Sequence, residues 1–239
     1  MKLSRILTTL MFLAIAGMVV STPGVYAVPY SIPTHEIKAG DLIHFHDGFG
    51  YGNGGEFRVH DDNNAFVYYS FCVETNEFIS FGNSYEVDSI TKEAKLGGSG
   101  GPSDPIDNKT AFLFYNFAMG TLSGYDYGNN SQHELDGQSL QRAIWFIENE
   151  VFYIGSVKID SLLKLHDNDI EAWNFYKLAE GANWQDTGNV WVLNLVDQND
   201  PTKLKQDQLV LVPEPGTLLF LGVTLVGISL AARRRRRSA

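Results

Sequence analysis

The sequence predicts an α+β fold, with a β-sandwich or barrel-like lobe that carries a helical insertion. Three observations predict it. Strand-like runs fill the first part of the body, helix-periodic runs fill the middle, and two strand-like runs close it. The lobe is flanked by a signal peptide and a short C-terminal membrane helix.

The chain of 239 residues opens on Lys2 and Arg5, then the apolar run ILTTLMFLAIAGMVV, then STPGVYA. Val25 and Ala27 are small residues at cleavage offsets, so residues 1–27 read as a secretory signal peptide cut after Ala27. Strands follow at 41–46, 55–60, 66–74 and 84–90. The glycine-rich stretch 48–56 reads as a turn between strands and lacks the Gly-Lys-Ser/Thr of a phosphate loop. Residues 96–105, LGGSGGPSDP, read as a flexible loop. Helical periodicity then marks 108–122 and 137–151, and a further helix at 168–181 ends on a glycine stop. Strands at 190–196 and 207–212 close the body.

Beyond the body comes Val212-Pro213-Glu214-Pro215, an apolar run from Thr217 to Ala232, and Arg233 to Arg237. Sixteen helical residues span about 24 Å, a little short of a hydrocarbon core of about 30 Å. The arginine cluster would hold that end on the cytoplasmic side. This order of parts, with Pro213, Glu214 and Pro215 as the motif, resembles the PEP-CTERM sorting signal over residues 213–239. The resemblance implies an exported surface or matrix protein, anchored transiently in the membrane and processed by an exosortase.

Removing both ends leaves residues 28–212, with 11 lysines and arginines against 27 acids, a net charge of −16. Such a body does not bind nucleic acid or anionic lipid by charge, and it attracts cations or amines. Aromatic residues at 13% of the chain exclude general disorder. His44, His46 and His60 share the first strands and read as a solvated face, so neither a metal nor another cofactor is expected. HDDNN (60–64) and DQNDP (197–201) lack a calcium-loop pattern and read as turns. No Gly-x-Ser-x-Gly elbow occurs and no carboxylate pair is singled out, so a conventional enzyme is not expected.

Cys72 is the only cysteine, in an exported chain where cysteines usually pair. Strand alternation places Val67, Tyr69, Phe71 and Val73 on one face and Ser70, Cys72 and Glu74 on the other. On the helix at 137–151, Leu140, Ala143, Ile144, Ile147 and Val151 form the core stripe, with Gln141 at its edge beside Trp145 and Glu148. Read from the residues alone, Cys72 is a free buried thiol, an intermolecular disulfide, an incidental cysteine or a reactive one.

FCV (71–73) and LQRAI (140–144), continuing into Trp145, resemble the two signature segments of bacterial surface thioester domains. The resemblance covers roughly residues 40–212. It implies an internal thioester between Cys72 and Gln141 that couples the protein to amine groups of a surface or matrix partner. Trp145 would then exclude water, and Glu74, Glu148 and His133 are proton-handling candidates by nearness to the motifs. The alternative is a non-covalent structural or carbohydrate-binding matrix protein with a free cysteine.

Overall fold

A computed structural model describes residues 29–50, 54–96 and 104–212. The expected signal peptide, the loop at 97–103 and the membrane helix at 217–232 lie outside the described residues. Among the described residues, no helix is long and apolar enough to cross a membrane.

The β-lobe is one antiparallel sheet. Its strands are β1 (Leu42–Phe49), β2 (Glu56–Asp61), β3 (Phe66–Ser70), β4 (Ser84–Thr91), β9 (Val190–Asp197) and β10 (Asp200–Leu211), in the order β10-β9-β4-β1-β2-β3. Two turns expected from sequence sit where their chemistry dictates. Asp61 Oδ1 accepts from the amides of Asn63 and Ala65, turning β2 into β3. Asp197 Oδ1 accepts from Asn199 N, turning β9 into β10.

The sheet curls until its outer strands meet. Cys72, just past β3, bridges Gln208 of β10. Val73 N donates to Asp207 O at 3.0 Å, and Leu209 N donates to Phe71 O at 3.0 Å. The β-lobe is therefore barrel-like. The expected strand 66–74 stops at Ser70 as a partner of β2, and residues 71–73 continue as a partner of β10.

The insertion between β4 and β9 begins with the short pair β5 (Glu93–Ala94) and β6 (Asp104–Pro105). Helices α1 (Asn108–Ala118), α2 (Ser131–Ile147), α3 (Leu162–Asn168) and α4 (Ile170–Ala182) follow, with the hairpin β7 (Phe152–Ile154) and β8 (Val157–Ile159) between α2 and α3. Each helix start carries its cap. Asp107, Asn130, Ser161 and Asp169 accept backbone amides of the first turns of α1, α2, α3 and α4.

Several boundaries differ from the sequence expectation. α1 ends at Ala118 because Gly120, at φ 69°, donates to Phe117 O. α2 begins six residues before 137, because Asn130 is its cap, and it ends where Asn149 turns to φ 58°. Val151 thus leaves the core stripe and is exposed. The expected glycine stop at Gly181 is inside α4, and Asn183 in the left-handed conformation ends that helix instead. β10 starts at Asp200 rather than 207.

The core is continuous from the barrel interior, through Phe45, Val59, Tyr68 and Leu195, to the helical lobe through Phe114, Leu140, Ile144 and Phe175. α2 approaches the end of β1 so closely that a Cβ on Gly137 would lie 2.2 Å from Phe49 O. That contact places the middle of α2 over the end of β3.

Candidate functional site

Cys72 and Gln141 meet where α2 crosses the barrel closure. In the antiparallel pairing of Cys72 with Gln208, the ladder bonds belong to the flanking residues. The backbone N–H and C=O of Cys72 therefore face away from β10. The Gln141 side chain takes both. Cys72 N donates to Gln141 Oε1 at 2.8 Å, and Gln141 Nε2 donates to Cys72 O at 2.7 Å. The carboxamide stands in for one residue of a neighbouring strand. Gly55 N adds a second donor to Gln141 Oε1 at 3.3 Å.

Both residues are fully buried, Cys72 at 0% and Gln141 at 1% exposure. Two expectations are corrected here. Gln141 is not at the edge of the buried stripe, because the barrel closure covers that flank of α2. Nor does sharing a face with Ser70 and Glu74 set Cys72 apart from the core: both are buried as well. An intermolecular disulfide through Cys72 would require this interface to open.

Burial pushes the Cys72 thiol up to about 12, and the nearby Glu74 carboxyl adds to the shift. Gln208 Nε2 donates to Cys72 Sγ at 3.4 Å and opposes it. Glu74 does not reach Gln141. Its carboxyl accepts from Leu96 N at 2.8 Å and Asp207 N at 3.3 Å. Burial raises Glu74 and Asp207 together, and each carboxyl disfavours charge on the other. Asp207 accepts from Lys95 N, Leu195 N and Asn194 Nδ2, so it is the ionised member and Glu74 holds the proton.

Trp145 lies one helical turn beyond Gln141, and both press against Gly54. A Cβ at Gly54, whose φ is +116°, would fall 2.5 Å from Trp145 Cη2 and 2.7 Å from Gln141 Cγ. Only glycine fits there. The Trp145 indole N–H is buried with no acceptor among the described residues. Glu148 is turned away from the pair. It accepts from Asp107 N at 3.1 Å at the start of α1, and burial holds it at about 7.

His133, two turns before Gln141 on α2, belongs to a second buried set. Its Nε2 lies 2.8 Å from Glu56 Oε2 and its Nδ1 lies 2.7 Å from Gly128 O. Both neighbours are acceptors when Glu56 is ionised, so both ring nitrogens donate and His133 is an imidazolium. Burial alone would lower its pKa, but the hydrogen bond and charge of Glu56 outweigh that and hold it above the usual value. Tyr30 and Tyr125 also donate to Glu56, at 2.7 and 2.6 Å.

Sequence reading missed Gly54, Gly55, Glu56 and Gln208. All four act through the barrel closure or across to α2, and no local pattern announces such contacts. His44 and His46 bond Ser84 and Asn64 respectively, and no group of metal-ligating side chains gathers among the described residues.

The C-terminal stretch identifies a class of protein. Residues 211–236 match the PEP-CTERM protein-sorting motif. The motif implies an exported protein of the cell envelope that an exosortase processes. No curated protein and no solved structure matches the chain. The sorting match leaves the thioester-domain resemblance of the body without support from these comparisons.

Proposed function

We propose that the body of this exported protein stores an acyl group as an internal Cys72–Gln141 thioester and spends it on a primary amine of a surface or matrix partner. One observation carries the reading. The Gln141 carboxamide is pinned to the Cys72 backbone, and its oxygen sits between two backbone N–H donors. Such a pair is the arrangement that stabilises a developing oxyanion.

The chemistry balances with these groups alone. Sγ attacks Cδ of Gln141, the carbonyl oxygen takes negative charge between Cys72 N–H and Gly55 N–H, and ammonia leaves with the thiol proton. A primary amine then attacks the same carbon. The C–S bond breaks, Cys72 regains its proton, and an amide joins Gln141 to the partner. Fixed proximity can lower such a barrier by about 7–11 kcal/mol. The raised thiol pKa makes closure slow, which a step performed once per chain tolerates. Trp145 and the thin Gly54 wall shield the bond from water.

A second reading rests on the same bonds. Gln141 satisfies two backbone groups that no strand takes up, so it serves equally as a structural clamp in a non-covalent matrix protein. Intact mass separates the two. A thioester leaves the purified protein lighter than its sequence by one ammonia, and methylamine treatment adds one methylamine and frees one thiol. Full sequence mass, a Cys72 that titrates completely in denaturant, and an unmodified Gln141 on peptide mapping would leave only the clamp. Hydrolysis during purification is recognised because it converts position 141 to glutamate.

A further inference from the structure

An uncharged cleft of about 420 Å³ opens beside the Cys72–Gln141 pair. It has two aromatic walls. Phe57 and Phe81 meet edge to face at 5.7 Å on the β-lobe side. Trp145 and Phe152 face each other at 5.8 Å on the helical side. Phe78 and Tyr153 stand at the mouth, 74% and 59% exposed. A smaller recess of about 60 Å³ reaches Gln141 itself, and Arg142, whose guanidinium pairs with Asp169, also lines it. Gly54, Trp145, Phe152 and Tyr153 line both spaces, so cleft and recess share a wall that ends at the reactive carboxamide. The recess has room for an aminomethyl group.

We infer that this cleft is the acceptor subsite, and that it selects a primary amine borne on an unbranched apolar stem over an amino sugar. The inference rests on the thioester reading for its reactive step. Two features fix the occupant. None of the described residues lining the cleft is charged, so it favours a hydrocarbon stem. Aromatic faces attract an alkylammonium head as it enters, and the body around them carries net −16. An amino sugar would set its hydroxyls against Phe57, Phe81 and Phe152, leaving most of them unpaired.

Binding is tested apart from chemistry. Cys72→Ala protein is titrated calorimetrically with n-hexylamine, methylamine, hexan-1-ol and glucosamine. Wild-type protein treated beforehand with methylamine serves if Cys72→Ala does not fold. The expected result is saturable n-hexylamine binding at least about tenfold tighter than the other three. A Phe78→Ser/Phe81→Ser variant, checked for an unchanged melting curve, should lose at least about tenfold of that affinity. Absent n-hexylamine binding, equal or tighter glucosamine binding, or full affinity in the double variant each overturns the inference. So does a self-associated protein that the double variant renders monomeric while n-hexylamine has no effect. Untreated wild-type protein that binds n-hexylamine but never gains its mass refutes the thioester and leaves the cleft assignment standing.

Discussion

Helix α2 meets the β-lobe through two buried polar sets, one around Glu56 and one around Cys72. In the first, both carboxylate oxygens and both imidazole nitrogens have partners. In the second, Gln208 Oε1 and Trp145 Nε1 are buried without partners, and Sγ has one weak contact at 3.4 Å. The two are joined by a single peptide. Gly55 offers its N–H to Gln141, and Glu56, the next residue, grips His133. The difference teaches a division of labour. A closed ion pair fixes the backbone, and the neighbouring set is left partly unsatisfied.

The largest effect should come from breaking the closed set. His133→Leu leaves Glu56 buried with two tyrosines and no counter-charge, at an expected cost of about 3–5 kcal/mol in urea unfolding. A cost below about 1 kcal/mol would erase the proposed contrast between the sets.

Next comes Gln141→Ala. It strands the N–H and C=O of Cys72 and the N–H of Gly55, an expected loss of about 1–3 kcal/mol, while the chain still folds. Denatured variant protein should carry one fully titratable thiol at sequence mass. A variant as stable as wild type would mean that the clamp contributes nothing.

The smallest effect is the pH slope. The imidazolium of His133 has a raised pKa in the fold, so its contribution is present below the usual histidine value and lost as pH rises through the raised one. Glu74 is protonated in the fold, so unfolding releases its proton above the usual carboxylate range, and stability again falls as pH rises. Urea midpoints should therefore decline from about pH 5 to about pH 9. Glu74→Gln should flatten that decline across its whole range, and His133→Leu should flatten the part above the usual histidine value. A midpoint that rises with pH would contradict both assignments.

Much of this was legible from local pattern. Alternation in DLIHFH and VWVLNLV gave strands, and the stripe of Leu140, Ala143, Ile144 and Ile147 gave the buried face of α2. Gln141 looked peripheral because a helical wheel sees one helix, and the barrel closure that buries it is built from residues 71–73 and 207–209. The face that Cys72 shares with Ser70 and Glu74 is buried for the same reason: a strand covered on both sides keeps its alternation but loses its solvent. The Glu56 set was invisible because its members, from Tyr30 to His133, are distant in sequence and each is ordinary alone.

The barrel closure has a mechanical consequence. The sorting match begins at residue 211, the last residue of β10, so the sorting stretch follows directly on the strand that seals the fold. Tension along the chain enters β10 lengthwise. It is resisted by β9 on one edge and by Phe71 and Val73 on the other, whose hydrogen bonds lie across the pull and are loaded together. A partner attached at Gln141 would pull on α2, whose Gln141 meets Cys72 directly across from Gln208 on that same strand.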